Sequence, residues 1–473
     1  MTSIDTLLTS VAQTMSGPRN RAEPLYEQLA DALAEGIRNG TLVSGERLPP
    51  HRELARRLNI NITTVTKAMA MLQEAGLVES RPGRGTLVKP LLRQPHAQFQ
   101  SAPSDAPGRV DLSINRPATN VYSQVLGQLL PELSRDPRFL ETQDYHPSEG
   151  PLWAREAASA WLSQYGVTAP AQRLLITEGA QHGLACILRA MTTRGDTLLA
   201  DAVTYQGINA LCRTLGLNLV GVDGDAEGML PEALERACAL HAPKALFLVP
   251  SIHNPTAITL GLKRRRALAE VIERQGLLLI EDDVYRPLLD DSLPSFAQLL
   301  PARTIHVTAL SKCIAPGLRM GFVLAPEQWV ADISATLRID CWSISPLSAL
   351  VATRLIEGGQ AGAMVVAQRE ELRARQALLR EQFGDLQVQA SATAPHVWLH
   401  LPEPWRASSF AQTCQEHGVG LLPGVAFTLR QEHPPHAVRI NLAAARSREQ
   451  LTRALQTIAR LARQGHLHMH DSV

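Results

Sequence analysis

No apolar run in this chain approaches the ~18 residues that a membrane-crossing helix needs, so a membrane protein is not expected. The start, MTSIDTLLTSVAQTMSG, has no basic region ahead of its short apolar segment, and a secretion signal is not expected either. Cysteine is sparse and scattered. Cys186, Cys212, Cys238, Cys313, Cys341 and Cys414 contain no C-x-x-C pair and no dense framework. That usage points to reduced thiols in a cytoplasm and away from structural zinc or any other metal site. Internal repeats and long low-complexity tracts are also lacking. What remains is an ordinary globular composition, 45% hydrophobic over 473 residues, which excludes a disordered chain and leaves room for two or three domains.

The net charge of +1 conceals an asymmetry. Residues 19–93 hold 12 Lys/Arg against 8 Asp/Glu, a net of +4, and the rest of the chain nets −3. A short basic segment joined to a long, slightly acidic one suggests that only the first meets a polyanion.

Ahead of residue 19, residues 1–18 read as an N-terminal extension. The first domain is expected over 19–92. From Pro24 an apolar stripe, Leu25, Leu29, Leu33 and Ile37, predicts a helix that stops at Asn39-Gly40. After Pro49-Pro50, HRELARRL predicts a short helix with Leu54 and Leu58 inward. Asn61 is a fair N-cap for a third helix carrying Val65, Met69 and Leu72. Two short strands then flank the tip Arg81-Pro82-Gly83-Arg84-Gly85. Three helices and a basic wing are the arrangement of a winged helix-turn-helix. Its recognition helix would offer Asn61, Thr63 and Thr64 to base edges in a major groove, with Lys67 one turn on. Arg52, Arg81 and Arg84 suit phosphate or minor-groove contacts on double-stranded DNA. The stretch GERLPPHRELARRLNINITTVTKAMAMLQEAGLVESRPGRGTLV resembles the DNA-binding domain of the GntR family throughout its length. That resemblance implies DNA contacts from Arg52, the start of the recognition helix and the wing, with His51 standing where serine is common.

Residues 93–110, rich in proline, alanine, serine and glutamine, read as an exposed tether. The second domain is expected over 111–473. Apolar runs at 174–177, 197–200, 219–222, 245–249, 277–282, 304–308 and 320–325 alternate with helical segments. They predict an α/β fold with a mostly parallel sheet covered on both faces, and a smaller lobe from about 331. Ligands of such sheets sit at the carboxyl ends of the strands. There the sequence places Gly179-Ala180-Gln181 opening a helix, a turn suited to a phosphate. It also places Ser251-Ile252-His253-Asn254-Pro255-Thr256, Asp282 followed by Tyr285, and Ser311-Lys312 followed by Pro316-Gly317-Leu318-Arg319.

Together with YHPSEGPLWAREAASAWL (145–162), these fragments resemble the fold type I aminotransferases, which bind pyridoxal 5′-phosphate. By that resemblance Lys312 forms the Schiff base with the cofactor aldehyde, and Asp282 pairs with the pyridinium nitrogen. Asn254 and Tyr285 hydrogen-bond the ring hydroxyl, and Tyr205 stacks on the ring. Gly179, Ala180, Gln181, Ser311 and Arg319 hold the phosphate, while Arg439 in AVRINLA clamps a substrate carboxylate. Two departures stand out. Ala309 replaces a common hydroxyl residue three before the lysine, and Ala257 follows Asn254-Pro255-Thr256 where glycine is usual.

A GntR-type domain fused to an aminotransferase-like domain resembles the MocR subfamily of bacterial transcription regulators. The resemblance implies a cytoplasmic, head-to-tail homodimer, associated with the nucleoid when on DNA, that responds to an amino compound or to the cofactor itself. Two alternatives stay open: an aminotransferase with an accessory DNA-binding domain, and a regulator whose second domain stays empty and only dimerises.

Overall fold

The computed structural model describes residues 24–38, 42, 45–74, 77–81, 85–88, 109–290, 293–403, 405–429 and 435–464. They fall into two compact units, divided near residue 100. Among the described residues no helix is long and apolar enough to cross a membrane.

The first unit holds α1 (Leu25–Arg38), α2 (His51–Leu58) and α3 (Ile62–Glu74), then β1 (Val78–Arg81) and β2 (Gly85–Val88). Their apolar stripes meet in one core. Leu29, Leu33 and Ile37 of α1 pack with Leu54 and Leu58 of α2 and with Val65, Met69 and Leu72 of α3. α2 stops because Asn59 turns left-handed (φ 51°), a conformation that asparagine tolerates better than most residues. β1 and β2 pair antiparallel from Val78↔Val88 to Arg81↔Gly85, and Arg47 bridges to Leu87 on the outer side. Gly85 sits at φ +77°, and a Cβ there would lie 2.9 Å from the Arg47 side chain, so only glycine fits this corner of the wing. This is a winged helix-turn-helix.

The second unit is α/β and opens on a short strand, β3 (Val110–Asp111). A seven-stranded sheet comprises β4 (Leu174–Thr177), β5 (Thr197–Asp201), β6 (Asn218–Val222), β7 (Ala245–Leu248), β8 (Leu278–Asp282), β9 (Thr304–Ala309) and β10 (Gly321–Leu324), in the order β4-β10-β9-β8-β7-β5-β6. Only β10 pairs antiparallel with its neighbours. Alternate residues serve opposite faces, as the pleat requires. Leu174 and Ile176 enter one core while Leu175 enters another beside Leu184, Ile187 and Leu188 of α4 (Ala180–Met191). Burial on both faces explains why the strands read as continuous apolar runs.

The smaller lobe differs from expectation. α5 (Glu327–Cys341) packs against α4, and Ala349, Leu350 and Leu355 of α6 (Pro346–Glu357) belong to the large core. The second core takes over only within α7 (Gln360–Phe383), at Leu379 and Phe383. It continues through a four-stranded antiparallel sheet and α8 (Arg448–Gln464). Helical periodicity cannot say which core a helix faces, so the boundary near 331 that the sequence suggests falls earlier in the chain than the change of core. Leu112 also joins this second core, and Val110, the last residue of the expected tether, donates its N–H to Gly418 O at 2.8 Å. The lobe's sheet contains β11 (Val388–Gln389) and β12 (His396–His400), the latter paired along its whole length with the later strand Ala437–Asn441. The six cysteines are free thiols, five of them buried.

Candidate functional site

In the first unit the recognition residues stand at the start of α3. Asn61 caps that helix: its Oδ1 accepts from the Thr63 N–H and from the Thr63 hydroxyl, both at 2.9 Å. Asn61, Thr63 and Lys67 are exposed and Thr64 is half-buried. Lys67 Nζ lies 5.2 Å from the centroid of the Tyr26 ring. Arg52 is exposed on the first turn of α2 and, among the described residues, unpaired, whereas Arg56 and Arg57 are both drawn onto Glu53. Arg81 ends β1, and Arg84 lies outside the described residues.

In the second unit nine of the ten residues expected around the cofactor line one cleft. They are Ala180, Gln181, Tyr205, Asn254, Asp282, Tyr285, Ser311, Lys312 and Arg319. The sheet gathers them. Ala180 and Gln181 follow β4, Tyr205 follows β5, Asn254 follows β7, and Asp282 ends β8. Ser311 and Lys312 follow β9, and Arg319 precedes the reversed strand β10, which brings it to the same edge. The tenth, Gly179, caps α4 at φ +83°. A Cβ on it would lie 2.8 Å from the Arg319 guanidinium, so glycine lets the arginine reach the Glu178 carbonyl at 2.7 Å.

Each end of the cleft has its own electrostatics. At one end stand Arg319, Ser311 and the N-terminus of α4 with its free N–H groups, an environment for an anion. Ser311 Oγ is buried and has no partner among the described residues. Burial pushes the Asp282 carboxyl up to about 7, helped by neighbouring Asp283, and its Oδ1 has no partner among the described residues. Burial pushes Lys312 down to about 8, with Arg439 and Arg319 adding repulsion and Asp282 opposing. A desolvated amine that is partly neutral near pH 7 is a usable nucleophile. The Tyr205 hydroxyl donates to Gln181 Oε1 at 3.0 Å. Gly207 lets the Tyr205 ring lie close, since a Cβ there would sit 2.3 Å from a ring carbon.

These donors fit pyridoxal phosphate: an amine for the aldehyde, an orphaned carboxylate for the ring nitrogen, an orphaned hydroxyl and an arginine for the phosphate. The two departures do not spoil the fit. Ala309 leaves Ser311 and Arg319 at the anion end. Ala257 takes the left-handed conformation glycine would favour (φ 61°), and its N–H still closes onto the His253 carbonyl at 2.6 Å.

Arg439 reaches the site from the small lobe. It donates to Asn254 Oδ1 at 2.7 Å and to the Ser113 carbonyl at 2.5 Å, with its guanidinium 4.9 Å from the Phe427 ring centroid. Burial pushes it down to about 10. Sequence reasoning missed the segment that meets it. The Asn115 carbonyl accepts from Lys312 Nζ at 2.9 Å, and the Asn115 amide donates to the Tyr285 hydroxyl and, at 3.3 Å, to Nδ1 of buried His396. Asn115 precedes every strand of the large sheet and follows no motif, so no spacing announces it.

The comparisons agree with this architecture. Residues 108–458 match the family "Aminotransferase class I and II", and residues 25–88 match "Bacterial regulatory proteins, gntR family". The "Uncharacterized HTH-type transcriptional regulator YdeF" of Bacillus subtilis is 29% identical over 440 residues, covering 93% of this chain and 94% of that protein. The "HTH-type transcriptional regulator TauR" of Rhodobacter capsulatus is 28% identical, covering 85% and 89%. Among solved structures, LysN, an α-aminoadipate aminotransferase of Thermus thermophilus complexed with N-(5′-phosphopyridoxyl)-L-leucine, shares the fold with a TM-score of 0.70 at 22% identity, covering 76% of this chain and 94% of that one. The chain therefore belongs to the aminotransferase class I and II family and carries a GntR-type winged helix-turn-helix ahead of that domain.

Proposed function

We propose that the protein is a pyridoxal-phosphate-dependent transcription regulator of the MocR type. Its winged domain binds an operator, and its aminotransferase-like domain senses an amino compound or the cofactor itself. One observation carries the reading: a desolvated Lys312 shares a cleft with the orphaned Asp282 and Ser311, in a chain that also carries a GntR domain. Bound pyridoxal phosphate would supply an aldehyde for amines and an electron-withdrawing ring. Lys312 would hold it covalently, Asp282 would keep its ring nitrogen protonated, and Tyr285 with Asn254 would orient it through the ring hydroxyl. Tyr205 would stack on the ring. Gly179, Ala180, Gln181, Ser311 and Arg319 would hold the phosphate. Arg439 would hold the carboxylate of an amino-acid-like effector, and a guanidinium fork gives that contact its direction. In the first unit Arg52, Arg81 and Arg84 would grip phosphates, while Asn61, Thr63, Thr64 and Lys67 would face the major groove.

A second copy of the chain completes the proposal. The rings of Tyr145 and Trp342 meet at a tilt of 55°, centroids 5.6 Å apart, on the surface of the second unit. Tyr145 is 85% exposed and Ile339, one helical turn before Trp342, is 86% exposed. Apolar side chains so exposed and adjacent suit an interface of a homodimer. Such a regulator works on DNA in the bacterial cytoplasm.

The test is to load the purified protein with pyridoxal phosphate, reduce with borohydride and locate the added mass, then titrate candidate amino compounds into an operator-binding assay. A pyridoxyl group on Lys312, with operator affinity that shifts on titration, supports the reading. A protein that never acquires the cofactor removes it. One feature favours the enzymatic alternative: Lys312, Asp282 and Tyr205 line one cleft, and Arg439 bonds to Asn254 of the same cleft. Sustained keto-acid exchange without sequence-specific DNA binding would establish that alternative.

A further inference from the structure

The segment 111–118 is fastened by an unusual set of donors. Three successive carbonyls, those of Ser113, Ile114 and Asn115, accept from Arg439, from Asn441 Nδ2 at 2.5 Å and from Lys312 Nζ. On either side the ties are made to residues away from the cleft. Asp111 pairs with Gly420, Arg116 donates to the Ala444 carbonyl at 3.1 Å, and the Ala118 N–H donates to Gln368 Oε1 at 2.8 Å. Two of the three central donors are thus the cations that the proposed chemistry would engage.

The side chain of Asn115 adds a second hold. His396 is pushed down to about 3 by burial and is neutral, and its Nε2 lies 3.0 Å from the His253 carbonyl, which can only accept. The ring proton is therefore on Nε2, leaving Nδ1 as the acceptor for the Asn115 amide. The same amide donates to the Tyr285 hydroxyl. Glycine or alanine at 115 would keep the carbonyl contact and lose both of these.

We propose that Asn115 is a positioning residue through which the state of Lys312 is passed to segment 111–118, and so to the chain that leads back to the DNA-binding domain. The inference rests on the reading of Lys312 as the cofactor lysine. Condensation of the neutral Lys312 amine with an aldehyde forms one C=N bond, releases one water and leaves at most one hydrogen on Nζ. In its free state Nζ carries two or three hydrogens and donates to the Asn115 carbonyl. Attachment withdraws that donor, and a part-buried carbonyl left without one must shift to another or move with its backbone. An effector carboxylate on Arg439 would act on the Ser113 carbonyl in the same way. The segment is released from its middle while its flanks stay tied.

The experiment is amide hydrogen exchange by mass spectrometry on the full-length protein, with and without pyridoxal phosphate, and on cofactor-free Lys312→Met. Peptides covering 112–118 should exchange about threefold or more faster on loading. Cofactor-free Lys312→Met should show the same rise, while peptides from 174–191 stay unchanged. Asn115→Ala keeps the carbonyl contact and loses the side-chain hold, so its segment should exchange faster than wild type before loading and still rise on loading, and the absorption spectrum of the bound cofactor should shift because Tyr285 has lost a donor. Wild-type exchange in cofactor-free Lys312→Met overturns the proposal. So does Asn115→Ala with wild-type exchange before loading and an unshifted spectrum. If Lys312→Met loosens the segment but pyridoxal phosphate never attaches to wild type, the cofactor reading fails while the hold of Lys312 on Asn115 stands.

Discussion

Arg439 donates a 2.7 Å hydrogen bond to Asn254, so the cation expected to meet a carboxylate is tied to a residue expected to hold the ring hydroxyl. The two lie 185 positions apart in the chain and in different lobes. Arg439→Ala should keep the cofactor on Lys312 and raise the midpoint for an amino-acid effector about tenfold or more, as loss of a charge-assisted bond implies. Lysine should restore little, because it lacks the planar fork. Removing the guanidinium also leaves Asn254 Oδ1 and the Ser113 carbonyl without a donor, so the melting temperature should fall by a few degrees. Spectral and operator titrations run side by side check this. An unchanged midpoint in both readouts would refute the role.

The lysine makes a pH prediction with a definite sign. Its pKa is lowered to about 8, chiefly by burial, so the neutral amine becomes available at lower pH than in an ordinary lysine. At pH 7 about 10% is free amine, against roughly 0.03% for an unperturbed side chain. The rate of pyridoxal phosphate attachment should rise with pH and level off above about 8. Asp282→Asn removes the one opposing charge and should move that midpoint lower. Lys312→Ala should abolish borohydride-trapped pyridoxyl while leaving circular dichroism unchanged. Stopped-flow attachment rates across pH 6 to 10 decide it, and a rate still climbing at pH 10 would count against the desolvated amine.

How much of this was legible beforehand depended on the range of the contacts. The strands of the large sheet were readable because burial on both faces makes each one a continuous apolar run, and the cleft residues because each follows a strand end. Asn61 was readable as a cap because capping is local to four residues. Asn115 and His396 were not, because they meet Tyr285 and Lys312 only through tertiary packing. The switch from one core to the other inside α7 was equally invisible, since its buried residues keep helical spacing across the switch.

The cap at Asn61 separates stability from recognition. Asn61→Ala removes the acceptor for the Thr63 N–H and should cost the winged domain about 1 kcal/mol. Asn61→Asp keeps an acceptor there and should hold the domain's stability. It places a negative charge where DNA is expected, so operator affinity should drop more than in the alanine variant. Thermal melts and operator titrations on both variants check the split. Equal affinity for the two would place Asn61 away from the DNA.

Arg52 should behave differently, because it is exposed and lacks an ion-pair partner among the described residues. Arg52→Ala should leave stability within about 0.5 kcal/mol of wild type. It should lower the slope of log affinity against log salt by about one, the signature of a lost phosphate contact, and Arg84→Ala should do the same. Binding isotherms between low and moderate salt measure the slope. Wild-type slopes in both variants would exclude the proposed docking.

The exposed apolar pair beside Tyr145 carries the last prediction. Trp342 is half exposed and held at φ 63°, and Arg338 stacks on its ring at 4.5 Å. A tryptophan fixed in a left-handed backbone conformation on the surface is costly unless something uses it. If a second copy covers this face, Ile339→Glu buries an unpaired carboxylate at the interface, a penalty of several kcal/mol. Dimer dissociation should then become at least ~100-fold easier, which is about 2.7 kcal/mol. Trp342→Ala should weaken the dimer without introducing charge, so it separates lost contact from electrostatic repulsion. Circular dichroism should match wild type in both, because neither side chain lies in a core. Sedimentation velocity across a dilution series reads the outcome. Wild-type dissociation in both variants would place the interface on another face, leaving Trp342 as an exposed residue that the fold alone holds in place.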